Sequence, residues 1–80
     1  MSLAVGSVPV RVVAKVYGKR EYWVRAGIIS GYLPIGMAIK DGKQVTDISE
    51  MSPRSHINYY ISPKLLYEAT GYEWKGEKNL

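Results

Sequence analysis

Two helical patterns separated by only Gly18 and Lys19 are the feature that most constrains how this 80-residue chain folds. Pro9 suits the first turn of the first pattern, and Gly18 can end it with a positive φ. Apolar side chains recur at helical spacing along one face: Val10, Val13, Ala14 and Tyr17. A strand is the competing interpretation because the run is rich in valine. The spacing and the two end signals favour a helix.

The second pattern runs from about Arg20 to Ser30 and gathers small and apolar residues on one face. The residues of that face are Val24, Gly27 and Ile28. Gly27 would allow another backbone to approach closely. Gly31 can end the helix, and Pro34 prevents its continuation. With a connection of two residues, the pair predicts a tight helix–turn–helix.

After the second helix the pattern becomes strand-like. Met37 to Lys40 can form a short strand, and Asp41-Gly42 is a turn signal. His56 to Ser62 alternates apolar and polar side chains, which is typical of a half-buried strand. The segment between them, Gly42 to Ser55, is polar and contains Pro53. We therefore expect two strands that form a β wing with a long tip.

A third helix begins at Ser62-Pro63, with Ser as the N-cap and Pro at the first position. Leu65, Leu66 and Ala69 are expected to face the core, and Gly71 to end the helix. Tyr72 and Trp74 are expected to fold back onto the domain. The other side chains that we assign to the core are Tyr17, Leu33 and Ile57.

Positive charge is concentrated in the first half of the chain. The net charge is +4 at pH 7. Residues 1–40 contain six lysines and arginines and one acidic residue, whereas residues 41–80 contain five lysines and arginines and six acidic residues. Such asymmetry indicates a polyanionic partner, either nucleic acid or an anionic membrane face. An ordinary solvated surface is the alternative.

The composition also limits the chemistry. The chain has no cysteine and one histidine, which leaves little for a nucleophile, a general base or a metal site. We therefore expect no enzymatic activity, no metal and no cofactor. The absence of cysteine fits a cytoplasmic protein. No apolar run approaches the roughly 20 residues of a membrane span, so we expect no membrane partner.

Three motifs carry a resemblance to a known family. They are Val24-Arg25-Ala26-Gly27-Ile28, Leu33-Pro34-Ile35-Gly36-Met37-Ala38-Ile39-Lys40 and Tyr59-Tyr60-Ile61-Ser62-Pro63. In this order, over about Val8 to Gly71, the chain resembles MerR-like and excisionase-like DNA-binding proteins of Gram-positive phages and mobile elements. The resemblance implies an α+β fold, a small winged helix–turn–helix with a two-stranded wing and a third helix. The domain would span residues 8–74, with flexible termini at 1–7 and 75–80.

In such a fold the second helix enters the major groove with its N-terminal part against the bases. The resemblance therefore implies base or sugar contacts on this helix for Arg20, Tyr22 and Trp23. It implies phosphate contacts for Lys19 and Arg25. On or near the wing, it implies DNA contacts for Lys40, Lys43 and Arg54.

Several of these residues have alternative roles. Arg25 could instead pair with Glu21, four residues earlier on the helix. Trp23 could be a groove contact or a core anchor. Lys43 and His56 could be solvated loop residues.

Two features depart from the family pattern. Lys19 stands where a Ser or Asn helix cap is common, so the second helix is expected to lack a side-chain cap. The wing carries three acids that would repel phosphates: Asp41, Asp47 and Glu50.

Sequence-specific binding of double-stranded DNA, as an excisionase-like or transcriptional regulator, is the function that these observations favour. One reader of this size covers few base pairs, so a homodimer or a cooperative array on DNA is expected, with a recombinase or other protein as a further partner. The competing hypothesis is a protein-interaction module, a phage adaptor or inhibitor on the same fold, whose contact anchors would be the tyrosines and Trp23.

Overall fold

The computed structural model describes residues 6–52 and 56–76 and shows a small α+β fold. The elements follow in the order α1 (Val10–Tyr17), α2 (Glu21–Ser30), β1 (Gly36–Lys40), β2 (Lys43–Gln44), a 3₁₀ turn (Ile48–Glu50), β3 (Asn58–Ile61) and α3 (Pro63–Thr70). The three predicted helices are confirmed, with α2 beginning one residue later than expected. The first pattern is a helix and not a strand.

Each helix ends at a glycine in the left-handed region, as predicted: Gly18, Gly31 and Gly71. The helix starts differ from one another. Ser62 caps α3 with its side chain, which accepts a hydrogen bond from the Leu65 N–H at 3.1 Å. Pro9 and Arg20 occupy the N-cap positions of α1 and α2, and neither provides a side-chain cap. The expectation that α2 lacks a cap is therefore confirmed, with Arg20 rather than Lys19 at the N-cap position.

The antiparallel sheet has three strands in the order β2-β1-β3. The two predicted strands, β1 and β3, pair with each other, and the prediction missed β2, which pairs with the other edge of β1. Asp41 and Gly42, with φ of 53° and 76°, form a two-residue turn that joins β1 to β2. A turn with two positive φ values matches the twist of paired strands and makes a tight hairpin. The long connection that was expected to be the wing tip instead begins with a strand, β2.

The connection after β2 is also attached to the core. Val45 is 3% exposed, and its N–H donates to the Ala38 carbonyl at 2.8 Å. The 3₁₀ turn follows, with the Asp47 carboxylate accepting from the Ser49 N–H at 2.9 Å. Met51 then packs against the core. The segment between β2 and residue 52 therefore does not project from the domain as a free wing tip.

The outer edge of β3 is covered by the chain before α1. The Val8 N–H donates to the Ile61 carbonyl at 3.0 Å. The Ser7 hydroxyl accepts from the Ile61 N–H at 3.0 Å and donates to the Tyr59 carbonyl at 3.3 Å. These bonds satisfy backbone groups that an edge strand would otherwise expose. Ser7 is therefore attached to β3 by hydrogen bonds.

The core forms where α2 packs against α1 and against β1. Its buried residues are Val8, Val13, Ala14, Val24, Ile28, Ile29, Leu33, Ile35, Ala38, Val45, Ile61, Leu66 and Trp74. The core assignments of Leu33 and Leu66, and the folding back of Trp74, are confirmed. Tyr17 and Ile57 are partly buried and pack against this cluster.

Four details of the predicted packing are wrong. Leu65 is 41% exposed, and Ala69 and Tyr72 are also exposed. Leu66 is fully buried on α3, and its neighbour Leu65 lies 100° away from it around the helix. A Cβ at Gly27 would meet the side chains of Tyr32 and Leu33, so side chains and not another backbone fill that space.

Among the described residues, no helix is long and apolar enough to cross a membrane.

Candidate nucleic-acid interface

The start of α2 presents two cations and one aromatic side chain to solvent. Lys19 and Arg20 lie in the turn before the helix, and both are exposed. Tyr22, in the first helical turn, is 62% exposed. The backbone N–H groups and the helix dipole at this end favour an anion as well. Three of the four side chains that the sequence placed at the front of α2, Lys19, Arg20 and Tyr22, are therefore accessible to a ligand.

Trp23 lies between two tyrosines in a cluster that we call the aromatic cluster (Tyr17, Trp23 and Tyr32). Its ring centroid is 5.5 Å from that of Tyr17 and 5.6 Å from that of Tyr32. The Tyr32 hydroxyl donates to the Trp23 carbonyl at 3.2 Å. Trp23 is partly buried against the core, so its position favours the role of an anchor over that of a groove contact.

Lys19 lies over the aromatic cluster. Its Nζ is 5.6 Å from the centroid of the Trp23 ring, within the range of a cation–π contact. The contact holds the ammonium group near the start of α2 while the side chain stays exposed. Trp23 thus contributes to the interface indirectly, by orienting a cation.

Arg25 lies between α2 and the sheet. Its Nη2 donates to Glu21 Oε1 at 3.0 Å, so the ion pair that the sequence left as an alternative is formed. The guanidinium carbon lies 5.9 Å from the centroid of the Tyr59 ring on β3. Burial raises the pKa of the Tyr59 phenol, and the charge of Arg25 partly opposes that rise.

The β1–β2 hairpin adds two lysines on the side of the sheet that holds Arg25. Lys40 and Lys43 are directly opposite in the strand register. Because Tyr59 pairs with Ala38, two residues before Lys40, Tyr59 and Lys40 project to the same side. Two lysines in this arrangement repel each other, and an anion that bridges them would relieve the repulsion.

Two acids lie in the connection whose 3₁₀ turn packs against α2. They are Asp47 and Glu50, and both are exposed. The hydrogen bonds from Ser49 lower the pKa of Asp47, so this carboxyl keeps its charge under mildly acidic conditions. These acids would weaken the attraction of a polyanion to that end of the surface.

Two residues of the predicted wing region remain, Arg54 and His56. Arg54 is outside the described residues, and His56 is exposed beside β3. The sequence did not identify Tyr59 or Tyr32 as partners of the α2 side chains. Tyr59 could not have been found, because its contact with Arg25 depends on how α2 packs on the sheet. Tyr32 follows the helix end by two residues, which was a signal for a return onto α2.

The described residues contain no group of three or more His, Cys, Asp or Glu side chains that could hold a metal ion.

No family model matches the chain, no curated protein matches its sequence, and no solved structure matches its fold. The resemblance to MerR-like proteins therefore rests on the three sequence motifs.

Proposed function

We propose that this chain binds double-stranded DNA in a sequence-specific manner through a winged helix–turn–helix, with α2 in the major groove. It would act as an excisionase-like or transcriptional regulator of a phage or mobile element, without catalytic activity. The β1–β2 hairpin takes the place of the wing. This role follows from the MerR-like motifs together with the distribution of charge around α2.

The observation that carries the proposal is the group of cations on α2 and on the neighbouring hairpin. Lys19 and Arg20 are exposed before the helix, and Arg25 lies on the same side of the sheet as Lys40. Phosphate neutralisation by such cations supplies most of the affinity of a DNA-binding protein. The side chains at the front of α2 would supply the choice of sequence.

The size of the domain bears on how it would be used. α2 has 10 residues, and only its first turns can reach base edges in this docking mode. A single copy would therefore read few base pairs. Binding as a homodimer or as a cooperative array on repeated half-sites would lengthen the sequence that is read, and a recombinase is a fitting protein partner for an excisionase-like role.

The test is fluorescence anisotropy with labelled duplex DNA over a range of salt concentrations. We expect the wild type to bind at about micromolar concentration or tighter at low salt, and to weaken steeply as salt rises. The Arg20→Ala, Arg25→Ala double variant should show a log–log salt slope shallower by about one to two, because each lost phosphate contact removes about 0.9.

The matched control is the Lys64→Ala, Lys75→Ala double variant. It removes the same charge from exposed positions on α3 and in the C-terminal segment. Circular dichroism should first show that every variant is folded. Equal slope changes in the two double variants would contradict a DNA contact on α2. A folded wild type that does not bind duplex DNA at low salt would overturn the DNA-binding proposal.

A second candidate function, a protein-interaction module, is favoured by the face of the sheet opposite α2. We call it the outer sheet face, and its side chains are Met37, Ile39, Gln44, Asn58 and Tyr60. None of these side chains is charged, and Met37 and Tyr60 are paired and exposed. Exposed apolar residues on an uncharged surface suit a protein partner. Such binding would persist at high salt, whereas DNA binding would not.

A further inference from the structure

Arg25 is fixed by two different elements before any ligand is present. Glu21 on α2 accepts a hydrogen bond from its Nη2, and the ring of Tyr59 on β3 lies 5.9 Å from its guanidinium carbon. The Arg25 side chain is 38% exposed. It is therefore held at the junction of the helix and the sheet, and part of the side chain remains accessible.

Among the described residues, this guanidinium forms a hydrogen bond only with Glu21. Arginine has five N–H donors, and the bond to Glu21 uses one of them. No buried side-chain nitrogen or oxygen among the described residues lacks a hydrogen-bond partner. The nitrogen atoms of Arg25 are therefore not buried without a partner, and the side chain is partly accessible to solvent. They can donate to a phosphate or a guanine edge while the contact with Tyr59 is kept.

The two contacts differ in what they offer to a polyanion. Glu21 orients Arg25 but also brings a negative charge that repels phosphate. The Tyr59 ring attracts the guanidinium through its face and adds no charge, since burial favours the neutral phenol. Holding a flexible side chain in place during folding reduces the entropy that is lost when a ligand binds.

We propose that Tyr59 is a positioning residue that holds the Arg25 guanidinium ready for DNA. The inference rests on the proposed DNA-binding function and deepens it. It gives β3 a part in DNA recognition, although the DNA contacts expected from the sequence include no residue of this strand. Tyr59 acts through Arg25 and does not itself need to touch the duplex.

The test is a double-mutant cycle in duplex-DNA affinity. Tyr59→Leu should weaken binding about two- to five-fold, the range expected for loss of an exposed cation–π contact. In an Arg25→Ala background, the same change should have no further effect, since the residue being positioned is gone. Tyr59→Phe keeps the ring and should restore the affinity lost in Tyr59→Leu.

Tyr60→Leu is the matched control, because Tyr60 is the next residue and projects to the opposite side of the sheet. It should leave DNA affinity unchanged. The ring-current shift of the Arg25 side-chain protons in NMR spectra gives a second readout. It should be present in the free wild type and in Tyr59→Phe, and absent in Tyr59→Leu. If Tyr59→Leu does not fold, Tyr59→Met fills more of the same space and takes its place.

The possible results separate the two proposals. Equal losses from Tyr59→Leu with and without Arg25 would overturn the positioning role alone, as would an unchanged affinity. A folded wild type that does not bind duplex DNA would overturn this proposal together with the proposed function.

Discussion

At the scale of single residues, Gly36 shows how closely two strands can approach. A Cβ at Gly36 would overlap the Tyr60 carbonyl oxygen and lie 2.8 Å from the Ile61 Cα. Both atoms belong to the backbone of β3, which is paired with β1 at this point and cannot move without loss of the pairing. Gly36→Ala should lower the free energy of unfolding by about 3 kcal/mol or more, measured by urea denaturation.

The control for Gly36 is Gly18→Ala at the end of α1. A Cβ there meets nothing within 4 Å, and its only penalty is a φ of 68°. That left-handed conformation should cost about 1–2 kcal/mol in an alanine variant. If Gly36→Ala costs no more than Gly18→Ala, the close approach of β1 and β3 at Gly36 is contradicted.

At the scale of elements, the start of α2 places a cation where a capping side chain would stabilise the helix. Arg20 has the extended conformation of an N-cap, with φ −78° and ψ 157°, but its side chain caps nothing. Arg20→Ser and Arg20→Ala both remove the charge, and only serine can accept a hydrogen bond from the first turn. The serine variant should be more stable than the alanine variant by about 1 kcal/mol in urea denaturation.

The same pair of variants separates the stability of α2 from its proposed function. Both should bind duplex DNA less tightly than the wild type, despite the higher stability of the serine variant. Equal stability of the two variants would show that the Arg20 position cannot act as a cap. Wild-type DNA affinity in both would remove Arg20 from the proposed interface.

The elements also show what the sequence could predict. Helix ends were predictable because a glycine or a Ser-Pro pair determines the local backbone. β2 was not, because Lys43–Gln44 has no apolar periodicity and becomes a strand only through the turn at Asp41-Gly42 and its pairing with β1. The turn at Asp41-Gly42 was recognisable from the sequence, but it was equally compatible with a longer hairpin that joins β1 directly to β3.

In the candidate site, too, contacts between residues close in sequence were predictable, whereas a contact that depends on tertiary packing was not. Cations close to each other in sequence, such as Lys19 and Arg20, were identified from the sequence and are exposed together. The pair of Arg25 and Glu21 was open to prediction because helical spacing brings them together. The contact of Arg25 with Tyr59 joins residues 34 positions apart, and only tertiary packing determines it.

At the scale of the whole molecule, two half-buried tyrosines link proton binding to global stability. Tyr17 on α1 and Tyr59 on β3 both pack against the core. Burial raises the pKa of each phenol above the ordinary value of 10.0, because a partly buried phenolate loses hydration. In the unfolded chain both hydroxyls regain the ordinary pKa.

The folded protein therefore holds more protons than the unfolded chain once the pH passes about 10. The contribution of these tyrosines to stability is complete below that pH and is lost as the pH rises through their folded pKa values. The free energy of unfolding should thus fall less steeply in a Tyr17→Phe, Tyr59→Phe variant than in the wild type. Urea denaturation between about pH 9 and 11.5 measures this difference.

The control is the Tyr22→Phe, Tyr72→Phe double variant, which changes two exposed positions and should keep the wild-type slope. Parallel slopes in all three proteins would show that the two half-buried phenols do not contribute to the alkaline loss of stability.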